Sequence, residues 1–145
     1  MKIPVFGTRM EGRAYLRRPS AYALVRNLSG FWAVVRTPNG CFLPGGGMEP
    51  HETSLQTVER EAREECGFVL KPRAVVARAI QFVYSAEEKK YFEKICEFVE
   101  ADLVGAVPPL ESDHELAWLG VDQAMASLSH ESHRWAVARA NGRVS

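Results

Sequence analysis

The chain has 145 residues, room for one domain that can bury a core without metal or disulfide staples, and it reads as a single domain over 1–145. Its 18 basic and 18 acidic residues cancel, so no global field draws it to a nucleic-acid polymer or an anionic membrane, and no apolar run approaches a membrane span. Cys41, Cys66 and Cys96 lie in apolar contexts without a C-x-x-C pair, and no secretory-type segment follows Met1, so a reducing, cytoplasmic setting is expected.

Residues 1–40 collect Lys2, Arg9, Arg13, Arg17, Arg18, Arg26 and Arg36 against one acid, Glu11, enough local charge for a small phosphorylated ligand. The apolar runs 21–25 and 31–35, separated by Asn27-Leu28-Ser29-Gly30, predict a β-hairpin. A turn at Pro38-Asn39-Gly40 leads into a short strand at 41–43, after which Pro44-Gly45-Gly46-Gly47 predicts irregular chain. From 53 to 66 the pattern becomes helical: Leu55, Val58, Ala62 and Cys66 fall within about 80° of one another at about 100° per residue. Thr53 or Ser54 is placed to cap that helix and Gly67 to stop it.

Two long antiparallel strands are predicted over 74–84 and 91–103, around the polar turn Ser85-Ala86-Glu87-Glu88. A loop follows over 107–113, then a strand over 115–119, a helix over 122–128 with Asp122 as its cap, and a final helix over 129–140. This order of elements predicts an α/β protein, a mixed sheet packed by helices on both faces. The apolar hairpin and N-terminal arm leave room for a homodimer.

The chemistry is concentrated on the first helix. Glu61, Glu64 and Glu65 are three and four residues apart, within side-chain reach of one another, and would repel unless a hard divalent cation with oxygen ligands lay between them. Mg²⁺, with Mn²⁺ as a substitute, shares its octahedron among carboxylates, water and substrate phosphates, so the partial cage predicts a phosphorylated small molecule as substrate. Gly46 and Gly47 precede the helix and allow close approach of the backbone. Arg60 cannot ligate a cation, but its planar fork can brace Glu64 and the upstream Glu52.

Gly46, Glu52, Arg60, Glu61, Glu64, Glu65 and Gly67 stand at separations expected by chance on the order of 10⁻⁸ per register. The string G-x5-E-x7-R-E-A-R-E-E-C-G-F resembles the Nudix hydrolase signature G-x5-E-x7-R-E-U-x-E-E-x-G-U, U being aliphatic, at every fixed position; Ala62 fills the first U and Phe68 the last. The resemblance implies the Nudix fold, an α/β/α sandwich with a mixed β-sheet. It implies a hydrolase that cuts a pyrophosphate bond in a nucleoside diphosphate linked to some group X, with Mg²⁺ held by Glu61, Glu64 and Glu65 and oriented through Arg60 and Glu52. In the family the general base is either a signature acid, here Glu61, or an acid from a distant loop. The source here is Glu111-Ser112-Asp113-His114-Glu115, with Glu115 preferred to Asp113.

Residues outside the signature choose X. Arg36 and Lys94 are the candidate phosphate contacts, and Tyr84, sixteen positions beyond Phe68, is placed for base stacking or core packing. His130 and His133 can meet a base or ribose or simply pack, and they lack a third ligand for zinc. The S-Q-P-W-P-F-P array of NADH pyrophosphatases and the downstream proline of ADP-ribose hydrolases are both missing. The chain therefore looks like a small MutT-like nucleoside triphosphate hydrolase. The alternatives are a dinucleoside polyphosphate hydrolase and a non-hydrolysing nucleotide sensor, the latter set back by retention of every signature acid.

Overall fold

The five residues from Ala21 to Val25 are apolar without alternation, as in a strand covered on both sides, and none is more than 4% exposed. A computed structural model, which describes residues 2–142, shows what covers them. Among the described residues, eight strands and three helices follow in the order β1 (Val5–Phe6), β2 (Tyr15–Leu24), β3 (Trp32–Thr37), β4 (Gly40–Phe42), β5 (Gly45–Gly47), α1 (Ser54–Cys66), β6 (Phe68–Ser85), β7 (Lys90–Ala106), β8 (Glu115–Leu119), α2 (Val121–Ser127) and α3 (Glu131–Ala140).

The larger sheet is mixed, with strand order β1-β6-β7-β2-β5; β4-β3-β8 form a smaller antiparallel one. Ala21, Ala23 and Val25 pack with Val58 and Ala62 of α1, and the two alanines leave room for the helix to approach closely. Tyr22 and Leu24 point the other way, into a second core shared with Trp32 and Val34 of the small sheet and with Ala136 and Val137 of α3. The predicted mixed α/β architecture, with helices packing on the sheet, is the observed one.

The predicted hairpin is corrected. Its turn is present, with Asn27 N donating to Phe31 O at 2.9 Å, but β2 and β3 meet only at an Arg26–Trp32 bridge and then part into different sheets. Both edges of β2 are already occupied, by β7 and β5, so β3 has no edge to pair with. The glycine run is also ordered: Gly45, Gly46 and Gly47 pair with Tyr22, Ala21 and Ser20. A Cβ on Gly45 would lie 2.1 Å from the Ala21 carbonyl oxygen, so only a residue without a side chain permits this pairing.

Helix α1 is closed at both ends by its own sequence. Thr53 is the cap: its hydroxyl accepts from Gln56 N at 3.2 Å, and Gln56 Oε1 accepts from Thr53 N at 2.9 Å. Ser54 instead donates to Glu97. Gly67, at φ 70°, turns the chain left-handed and starts β6.

Strands β6 and β7 extend beyond their predicted limits, because irregularities after Val69, Pro72 and Val75 let β6 continue past a proline. At α2 the cap position is Gly120, and Asp122 lies inside the first turn, where a carboxylate favours the helix dipole. Helix α3 begins two residues later than predicted, after His130.

Candidate active site

Arg60 is the hub of the charged face of α1. Its Nε donates to Glu52 Oε2 at 2.7 Å and its Nη2 to Glu52 Oε1 at 3.0 Å, while Nη1 reaches Glu61 Oε1 at 2.5 Å and Glu64 Oε2 at 3.3 Å. Nη2 also donates to the Gly47 carbonyl at 3.2 Å, tying the glycine strand to the helix. Glu52 further accepts from Glu49 N and Thr57 Oγ1, so its carboxylate is saturated with donors. The Arg60 bond, foremost, holds its pKa down at about 2. Glu52 is thus a fixed anion that positions Arg60.

Glu61 and Glu65 lie on the buried side of the cluster. Glu65 Oε1 accepts from Gly45 N at 2.9 Å, a bond that exists because β5 is a strand. Burial raises the Glu65 pKa to about 9, against the opposing pull of that N–H, and the charges of Glu61, Glu111 and Glu64 push the same way. Burial likewise raises Glu61. Glu61 Oε2 faces Gly46 so closely that a Cβ there would lie 2.4 Å away. Carboxylates desolvated beside one another, with oxygens left over after Arg60 and Gly45 are served, form a donor set that a hard divalent cation fits.

The loop after β7 completes the site. Leu110 N and Glu111 N both donate to the Glu64 carbonyl, at 3.0 and 3.1 Å, and Val107 N donates to Gly67 O at 2.7 Å. These main-chain bonds hang the loop on the end of α1 and carry Glu111 and His114 to Glu65. His114 Nε2 is 3.0 Å from Glu111 Oε2 and 3.9 Å from Glu65 Oε2, and its Nδ1 is 2.8 Å from Asp113 Oδ1. Glu115 goes elsewhere: it starts β8 opposite Arg36, 4.0 Å from that guanidinium, with its side chain three-quarters exposed. The sequence placed this loop at the site, but the docking that selects Glu111 and His114 within it is a backbone event without a side-chain signature.

A cleft of about 530 Å³ opens from Glu65, Gly45, Gly46 and His114 and runs between the two sheets. Lys94 lies in it, donating to Tyr22 Oη at 3.4 Å, and burial lowers its pKa. Tyr84 stands at the cleft, half exposed and tilted against Tyr91 with ring centroids 4.8 Å apart, so it both packs and presents a face. Phe42 and His130, centroids 5.1 Å apart, form another part of the lining, and burial holds His130 neutral with a pKa of about 4. His133 is wholly buried behind them and accepts from Leu43 N through Nδ1 at 3.2 Å, a packing role. Arg36 is not among the residues lining the cleft.

The sequence matches the family profile described as NUDIX domain over residues 16–140. The chain belongs to the Nudix family. A Nudix hydrolase from Nitrosomonas europaea superimposes with TM-score 0.70 at 18% identity, covering 88% of this chain and 90% of that one. A MutT protein from Methanosarcina mazei Go1 gives 0.63 at 22%, covering 92% and 99%. An E. coli dihydroneopterin triphosphate pyrophosphohydrolase gives 0.68 at 17%, covering 88% and 97%. At these identities the likeness is one of fold. No curated protein matches the sequence significantly. This Nudix protein is a hydrolase acting on phosphoric anhydride bonds, and the family generally uses a divalent metal, for which a cluster of carboxylates and one histidine is available.

Proposed function

We propose that this enzyme hydrolyses a nucleoside triphosphate or closely related nucleotide with Mg²⁺, the ion held by Glu61, Glu64 and Glu65. The observation that carries this reading is the one cleft that joins Glu65 to Lys94 and to the rings of Phe42 and Tyr84. Anionic phosphates suit the metal end and the buried ammonium; a flat, partly apolar base suits the aromatic lining. The structural neighbours named for MutT, ADP-ribose, UDP-X and dihydroneopterin triphosphate share the fold over different substrates, so the fold does not choose among them.

When bound, the ion neutralises phosphate-oxygen charge and acidifies a water. The chain's own residues do the positioning. Arg60, braced by Glu52, holds Glu61 and Glu64 in place, and Gly45 N–H aims Glu65. We assign proton acceptance from the attacking water to Glu61, because Arg60 takes only its Oε1 and leaves Oε2, which faces Gly46, to be shared between ion and water. Lys94 meets a phosphate oxygen of the bound nucleotide. Glu115, the residue preferred from sequence, is paired with Arg36 at the sheet edge and has no part in this scheme.

A panel of nucleoside triphosphates, dinucleoside polyphosphates and nucleotide sugars, assayed with Mg²⁺ for wild type and Glu65→Gln, tests the proposal. Release of pyrophosphate and a monophosphate from triphosphates, lost in the variant, is expected. Equal turnover by both proteins would remove the metal assignment; preferential cleavage of dinucleotides would move the substrate class. Tight nucleotide binding without turnover would favour a sensor.

A further inference from the structure

Resting on the divalent-metal reading of this site, we infer that His114 supplies a nitrogen ligand beside Glu65 and Glu111, making this a mixed nitrogen–oxygen centre that holds a first-row transition ion such as Mn²⁺ in preference to Mg²⁺. The signature helix by itself offers oxygen alone. The loop docked on Glu64 changes that by bringing an imidazole against Glu65.

Three features carry the assignment. One potential ligand atom from each of Glu65, Glu111 and His114 lies within 4.8 Å of the other two. Ligands about 2.1 Å from one octahedral ion stand roughly 3 Å apart when adjacent and roughly 4 Å apart when opposed. The observed 3.0 Å from His114 Nε2 to Glu111 Oε2 and 3.9 Å to Glu65 Oε2 lie within the span that ligands of one ion can take.

The imidazole is also oriented for ligation. Asp113 Oδ1, 2.8 Å from Nδ1, is placed to accept a hydrogen bond from that nitrogen, the arrangement in which Nε2, facing the two glutamates, is the nitrogen left for an ion. A carboxylate holding the far nitrogen of a ligating histidine is the usual support of such a ligand, fixing both its tautomer and its ring direction. His114 is moreover only 19% exposed at its side chain, so it is held at the site by packing as well as by charge.

The chemical consequence follows from ligand type. Imidazole adds least to the binding of Mg²⁺, which prefers oxygen and gives up its waters reluctantly, modestly more to Mn²⁺, and most to the later first-row ions. A site with one nitrogen ligand therefore widens the gap between the two ions.

The test uses the intact protein and Mn²⁺ itself. Electron spin-echo spectroscopy of the Mn²⁺-loaded protein should show modulation from a directly bound imidazole nitrogen, changed by ¹⁵N labelling and absent in His114→Ala. Calorimetric titration should show His114→Ala weakening Mn²⁺ on the order of tenfold while Mg²⁺ moves by less than about twofold. His114→Gln, checked for native circular dichroism, serves if the alanine variant is unstable, and the same losses are expected from it. Mn²⁺ bound with Glu65-dependent affinity but without nitrogen modulation would overturn this inference and leave the metal reading intact. Failure of Mn²⁺ and Mg²⁺ to bind at all would overturn both.

Discussion

Arg60 grips Glu52 through two bonds, Nε to Oε2 at 2.7 Å and Nη2 to Oε1 at 3.0 Å, and this fork leaves Nη1 alone to hold Glu61 and Glu64. A lysine can reach one of these partners as a point charge but cannot present both geometries. Arg60→Lys should therefore lower kcat by about 10- to 100-fold, with a smaller change in KM, because orientation of the acids is lost and substrate contacts are not. Steady-state kinetics check this; an unchanged kcat would reduce Arg60 to a surface ion pair.

Gly46 faces the free oxygen of Glu61. In Gly46→Ala the new methyl group would lie 2.4 Å from Glu61 Oε2 and must drive that side chain away, while the rest of the molecule has no reason to unfold. Turnover is expected to fall by about tenfold or more, with a melting temperature within a few degrees of wild type. A large loss of stability would show that β5, not Glu61, yields first.

The acids of the site make stability depend on pH in two windows of opposite sign. Glu65 is raised to about 9 from 4.5, so between these values the folded state binds more protons than the unfolded one, and metal-free stability falls as pH rises. Glu52 is depressed to about 2, so its contribution is present above 4.5 and disappears as pH falls toward 2. Thermal unfolding in chelator from pH 5 to 9 should show a declining melting temperature, flattened in Glu65→Gln. A flat wild-type profile would show that Glu65 ionises at its ordinary value.

Lys94 is held in the cleft with its pKa lowered by burial, so its charge is retained at some expense to the fold. Lys94→Met should raise the melting temperature or leave it unchanged, and raise KM for a nucleotide by about tenfold. The two readouts move in directions that a merely structural residue would not produce. A fall in stability with KM unaltered would place Lys94 in the core.

Helix α1 was legible because its determinants are local: the stripe of Val58 and Ala62, a cap at Thr53 or Ser54, and the stop at Gly67 all lie within one short segment. The charged cluster was legible for the same reason, since residues three and four apart on a helix must meet. What could not be read depends on partners distant in sequence. Gly45–Gly47 became a strand because β2 offered an edge, and β3 left β2 because that edge was taken. Glu111 and His114 surpassed Glu115 as neighbours of Glu65 only through where the loop is tied down, a matter of amide hydrogens that every residue but proline possesses.

That tie has a practical meaning. The Glu64 carbonyl anchors the loop while the Glu64 carboxylate faces Arg60, so one residue serves two purposes through chemically independent groups. Side chains at 111–114 can thus be exchanged without uprooting the segment that bears them. The end of α1 acts as a socket into which loops of different reactivity could be grafted, and the ligand set around Glu65 becomes a property that can be rewritten by a four-residue replacement.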